Sequence, residues 1–125
     1  MRAKTHETEM PFQYEISAIN GLRLISLMGR LKEKEQSEEL IAAFEEMLSK
    51  GKNSILLELS SLEYVNSSGL NLLIGMLTRA INAGGELAIC GVSDKVRQLL
   101  VMTRLDSIFK IYGSVENASE HFTFK

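Results

Sequence analysis

The sequence predicts an α/β domain in which an N-terminal β-hairpin is followed by alternating helices and strands, giving a mixed sheet with helices packed against it. Three observations carry this expectation. Asn20-Gly21 sits between two runs of strand character. After it, apolar residues recur at helical spacing, then in short continuous runs, then at helical spacing again. Glycines and small polar residues fall at the boundaries between these patterns.

Taken in order, Phe12 to Ile19 reads as the first strand, with Phe12, Tyr14, Ile16 and Ala18 on one face. Leu22 to Met28 reads as the second. The intervening Asn-Gly suits a type I′ turn, which needs positive φ at both central residues. Leu40, Ile41, Phe44, Met47 and Leu48 mark the first helix. Glu38 and Glu39 near its start and Lys50 near its end match the helix dipole, and Gly51 is its expected C-cap. The charged run Lys32-Glu33-Lys34-Glu35 reads as a solvated lead-in. Ile55 to Leu59 is a continuous apolar run, as in a strand buried on both faces. A polar turn, Ser60 to Asn66, is expected after it.

The second helix follows, with Leu70, Leu73, Ile74, Leu77 and Ile81 inward and Gly84-Gly85 at its end. Leu87 to Cys90 is a further buried strand. Ser93 caps a third helix whose apolar face is Val96, Leu99 and Leu100. Ile108 to Tyr112 is the last strand, and Ser114 caps a last helix with Val115, Ala118 and Phe122 inward. Residues 1–11 read as a flexible segment. Residues 12–125 read as one domain, long enough for its own core.

Composition narrows the function. The formal charge of -2 and the scatter of Lys and Arg argue against affinity built on phosphate neutralisation, so no direct nucleic-acid partner is expected. No run reaches transmembrane length and the first ten residues lack an apolar signal core, so a cytoplasmic chain without membrane insertion is expected. The lone Cys90 permits no intrachain disulfide and reads as a core residue. Histidine, cysteine and carboxylates show no metal-ligand spacing, and no phosphate-binding glycine motif is present. Neither a metal nor a cofactor is expected. Met47 and most other methionines suit apolar faces, whereas Met76 and Met102 are open to a contact role.

Chemistry is expected where the strand at Ile55–Leu59 feeds the next helix, because the carboxyl ends of strands are where open α/β sheets place their sites. There the sequence is Asn66-Ser67-Ser68-Gly69-Leu70. Capping alone accounts for Asn, Ser and Gly at a helix start. If Asn66 or Ser67 is the cap, Ser68 falls in the first turn with a freer hydroxyl. A phosphate there would meet the positive helix end and add about -1.5 to -2 charges at pH 7. A nucleophile elbow is not formed, since Val65 stands where its first glycine belongs, and the two histidines, His6 and His121, lie far along the chain. A hydrolase is therefore disfavoured, and the chain is not expected to be an enzyme.

The segment Leu56-Leu57-Glu58-Leu59 through Val65-Asn66-Ser67-Ser68-Gly69-Leu70 resembles the signature of STAS domains, a strand followed by D-S-S-G-[LI]. Leu27-Met28-Gly29-Arg30-Leu31, Gly84-Gly85-Glu86-Leu87-Ala88-Ile89-Cys90-Gly91-Val92, Val96-Arg97-Gln98-Leu99-Leu100 and Thr103-Arg104-Leu105-Asp106 resemble further family segments in the same order. The resemblance runs from about Phe12 to near the chain's end and implies the STAS, or SpoIIAA-like, fold. Free-standing STAS proteins of this size are usually bacterial anti-sigma factor antagonists. The resemblance implies that the unphosphorylated chain binds an anti-sigma factor, often a serine kinase. Phosphorylation of Ser68, with Ser67 as the alternate, then releases it, and a serine phosphatase restores binding. It also implies a partner surface at Asn66, Ser67, Ser68, Gly69 and Leu70, with Glu63 just before them. Asn66 stands where the family usually has Asp, and Lys32 follows Leu31 where Asp is common. The loss of charge at Asn66 leaves a second expectation, an unphosphorylated accessory subunit of an ABC-type lipid transporter, bound to its ATPase.

Overall fold

The computed structural model describes residues 11–19, 21–31 and 37–121. Five strands form one sheet in the order β1-β2-β3-β4-β5. They are β1 (Gln13–Ile19), β2 (Leu22–Leu31), β3 (Ser54–Val65), β4 (Glu86–Cys90) and β5 (Lys110–Tyr112). β1 pairs antiparallel with β2, and every later neighbour pair is parallel. The helices are α1 (Glu38–Ser49), α2 (Ser67–Asn82), α3 (Asp94–Met102) and α4 (Val115–His121). Consecutive parallel strands lie side by side in sequence order, so the functional ends of β2, β3 and β4 all point the same way.

The hairpin forms as predicted: Ile19 faces Leu22 and Gly21 has φ +85°. Asn20 lies outside the described residues. Alternation in the strands sorts side chains to two faces. Ile25, Leu27, Ile55, Leu57, Leu59, Leu87 and Ile89 join the main core, which Leu40 and Phe44 of α1 and Leu73 and Met76 of α2 complete. Leu22, Leu56, Ala88 and Cys90 face the other way, under Ala118 of α4.

Several expectations are corrected. β2 extends past Met28 to Leu31, and β3 runs to Val65 where a polar turn was expected after Leu59. The reason is the parallel pairing of β2 with β3. Ser26 and Met28 face Glu58 and Ser61, while Gly29 and Arg30 face Leu62 and Tyr64. One extra β3 residue is absorbed at each shift, as a bulge does. The bulges turn Leu62 and Val65 into the core and leave Ser60, Ser61 and Glu63 exposed. The polar residues hid a strand whose alternation is broken.

In α2 the buried face is Gly69, Leu70, Leu72, Leu73, Met76 and Ala80. Ile74 and Leu77 are half-buried, and Ile81 is 58% exposed. The stripe is thus rotated towards the smaller side chains, which let the helix approach the sheet. Met76 is core rather than contact. Phe12, just before β1, and Tyr14 on it pack against the core, whereas Ile16 and Ala18 are exposed on this edge strand. The last strand starts at Lys110, not Ile108: a 3-10 turn, Leu105–Ser107, occupies the approach and leaves Ile108 exposed. Ser37 precedes α1, Glu38 and Glu39 lie in its first turn as expected, and Lys50 and Gly51 close it, Gly51 with φ +80°. The lead-in at Lys32–Glu35, the N-terminal segment through Met10, His6 and the inward role of Phe122 lie outside the described residues.

Candidate functional site

The paired ends of β2 and β3, Leu31 opposite Val65, deliver the chain to α2. The Asn66 backbone N–H donates to the Leu31 carbonyl at 3.4 Å, so the turn is tied to the sheet. Asn66 is extended (φ -110°, ψ -167°), and its Oδ1 accepts from the Gly69 N–H at 3.1 Å. This is an N-cap, which satisfies one of the orphan donors of the first turn. With Asn66 as cap, Ser67 and Ser68 occupy the first two helical positions, and both are exposed. Their place at the positive end of a sixteen-residue helix favours an added negative group.

Gly69 explains why the motif has a glycine. A Cβ there would overlap Val65 Cγ2 and lie 2.9 Å from the Leu31 carbonyl oxygen. The glycine lets the first turn sit directly on the strand ends. Gly69 and Leu70 are buried, so they place the segment and do not offer side chains at its surface. Glu63 is exposed on β3, three residues before the cap.

Two grooves flank this helix start. One, about 310 Å³, lies between α1 and α2 and is lined by Ser37, Ile41, Ser68, Asn71, Gly75 and Arg79, among others. Arg79 is held there by Glu45 at 2.8 Å and by the Gly75 carbonyl at 3.1 Å. The other, about 350 Å³, has Tyr64, Val65 and Asn66 on one wall and Lys95, Leu99 and Met102 of α3 on the other. The cap at Asn66 follows the sequence pattern, whereas neither groove is marked in it. Arg79 and Lys95 belong to stripes of mixed polarity, which periodicity does not select.

Cys90 ends β4 with its side chain buried. Burial, then the carboxylates of Glu58 and Glu116, push its thiol up to about 12. A thiol so protonated is no nucleophile near neutral pH. Burial also raises the Tyr14 hydroxyl, with Glu39 adding charge repulsion and a hydrogen bond that joins β1 to α1. Among the described residues no group of three His, Cys, Asp or Glu side chains is placed to hold a metal ion, and no helix is long and apolar enough to cross a membrane.

Comparison with known proteins agrees with this geometry. A Thermotoga maritima protein provisionally named an anti-sigma factor antagonist is 38% identical over 77 residues, which is 62% of this chain and 68% of that protein. The crystal structure of a Thermotoga maritima protein of the same provisional name, 31% identical, superposes with a TM-score of 0.71 over 89% of this chain and 93% of the other. The anti-sigma F factor antagonist of Paenibacillus polymyxa is 30% identical over 109 residues, 87% of this chain and 93% of the relative. The phosphorylated form of the Bacillus cell fate determinant SpoIIAA, 20% identical, shares the fold with a TM-score of 0.68 over 90% of this chain and all of that one. The STAS domain family model matches residues 16–118, from the first strand to the last helix. The chain therefore belongs to the STAS domain family.

Proposed function

We propose that the chain is an anti-sigma factor antagonist that binds its anti-sigma factor through the start of α2 and is released by phosphorylation of Ser68. The observation that carries this reading is the exposed Ser68 hydroxyl in the first turn of a helix already capped by Asn66. The cap occupies the Asn66 side chain with the Gly69 N–H, so Ser68 is not needed for that bond. A phosphate on Ser68 would add about -1.5 to -2 charges beside the docking surface, sufficient to repel an acidic partner or block close approach. The names of the Thermotoga and Paenibacillus relatives support the role. The chain acts as a binding module, with the kinase and phosphatase supplying the chemistry from outside.

A pull-down with the full chain, followed by incubation of the recovered anti-sigma factor with ATP, tests the reading. Intact mass should show one added phosphate, abolished by Ser68→Ala and retained in Ser67→Ala. Ser68→Asp should lose the partner. Binding that persists in Ser68→Asp, with no phosphate on the wild-type chain, would remove the switch. Recovery of an ABC-type ATPase in place of an anti-sigma factor would favour the accessory-subunit role, towards which the uncharged Asn66 leans.

A further inference from the structure

The groove between the end of β3 and α3 has a composition that the motif does not explain. Its walls are mostly apolar, and among the described residues Lys95 is the one charged residue that lines it. Met102 at its lower end is 79% exposed. Val101 and Ile108, both large and apolar, are also about half exposed on the same stretch of chain, at 53% and 49%. Of these three, Met102 is the one that lines the groove, where it adds an exposed apolar side chain to the apolar wall. Lys95, Leu99 and Met102 lie on one face of α3, at i, i+4 and i+7. Lys95 and Met102 are therefore two turns apart, about 10 Å. The opposite wall ends on Asn66, the residue before the two exposed serines.

We propose that this groove seats one segment of the anti-sigma factor, with a large apolar side chain against Leu99 and Met102 and a carboxylate about 10 Å away facing Lys95. The inference rests on the function proposed above and specifies the chemistry of its partner. Charge decides the occupant. A segment whose carboxylate meets Lys95 lies beside the α2 start, where phosphorylation of Ser68 places about two negative charges. Ser68 itself lines the neighbouring groove, two residues beyond the Asn66 wall, and its phosphate and the seated carboxylate, both negative, would repel. Release needs no rearrangement of the sheet or of α3.

Titration calorimetry of the full chain against the anti-sigma factor recovered in the pull-down tests this. Met102→Ser and Lys95→Glu should each weaken binding at least tenfold, while Met102→Leu binds like wild type. The loss in Lys95→Glu should shrink as salt is raised. Ile81→Ser is the control, an exposed apolar position on α2 away from the groove, and should change affinity less than twofold. Wild-type affinity in both groove variants, with binding still lost in Ser68→Asp, would overturn the groove while leaving the antagonist function standing. Stronger binding in Lys95→Glu would overturn the acidic occupant. A wild-type dimer in sedimentation that Met102→Ser converts to monomer would assign the groove to a second copy and overturn the proposal. Failure to recover any anti-sigma factor would overturn the functional reading, and this inference with it.

Discussion

Two helix starts lie at neighbouring strand ends, α2 after β3 and α3 after β4. Both use the same local chemistry. Asn66 accepts from the Gly69 N–H at 3.1 Å, and Ser93 accepts from the Val96 N–H at 3.2 Å. Both caps are in extended backbone, and both helices follow parallel strands. They differ in what surrounds the cap. At α2 a buried glycine presses the first turn onto Leu31 and Val65, and two hydroxyls are left exposed. At α3 the residue in that place is a buried valine, and the first turn carries Asp94 and Lys95. The adjoining strand end holds its one nucleophile, Cys90, inside. Capping chemistry alone therefore does not distinguish the two starts. The close approach and the exposed hydroxyls do.

The largest expected contrast is in nucleophile reactivity. With its thiol pushed up to about 12 from its ordinary value of 9.0, Cys90 should react with a disulfide reagent at pH 8 roughly three orders of magnitude more slowly than in the urea-unfolded chain. Rapid labelling of the native protein would show that the β4 end is open. The same shift sets a pH limit on stability. Its raised value means that the contribution is fully present below the unfolded thiol's value and is lost as pH rises from about 9 towards about 12. Cys90→Ala should flatten that alkaline decline.

Next is the close approach itself. In Gly69→Ala the new Cβ meets the Val65 side chain and the backbone oxygen of Leu31, which cannot rotate away. Overpacking of this kind costs about 1–3 kcal/mol, more than the helix propensity of alanine returns. Gly75→Ala on the same helix meets only the guanidinium end of Arg79, which can move. It should be neutral or stabilising by up to about 1 kcal/mol. Urea denaturation of the two variants gives the comparison directly. Equal stabilities would mean that Gly69 is not required by packing.

Removing the caps probes what the two starts share. Asn66→Ala and Ser93→Ala should each lose about 1 kcal/mol. A loss of partner binding confined to Asn66→Ala, beyond what Ser93→Ala gives, separates the α2 surface from general destabilisation. Equal binding losses in both variants would tie α2 and α3 together as one interface.

How much of this was legible in the sequence depends on where local pattern and tertiary pairing agree. Asn20-Gly21 and the Leu87–Cys90 run gave correct elements, because turn chemistry and continuous apolar runs are local signals. The cap at Asn66 was legible for the same reason. The continuation of β3 through Ser60, Ser61 and Glu63 was not. Two bulges, set by pairing with β2, break the period of two that identifies a strand. The α2 face was misjudged at Ile81 because helix approach to a sheet favours small residues, here Gly69 and Ala80, over large ones. The two grooves had no local signal at all, since Asn66 and Met102 are brought together only by the packing of α3 beside β3.

The smallest effect concerns the one residue that separates this helix start from the family pattern. Asn66→Asp keeps the acceptor of the Gly69 N–H and adds a negative charge at the positive end of α2. At neutral pH that charge should stabilise the fold by about 0.3–1 kcal/mol. Hydrogen bonding and the helix dipole favour the charged carboxylate, so its folded-state pKa lies below the unfolded value near ~3.9. The added stability is then present above ~4 and disappears as pH falls through the lower folded value. Melting curves of Asn66→Asp and wild type should separate by a few degrees at pH 7 and converge near pH ~2 to ~3. The same variant bears on the switch, because the carboxylate lies two residues before Ser68. If that charge orients the hydroxyl for phosphoryl transfer, Asn66→Asp should be phosphorylated faster by the recovered kinase, with docking affinity before phosphorylation unchanged. An unchanged rate would make the asparagine an equivalent cap and leave Ser68 governed by exposure alone.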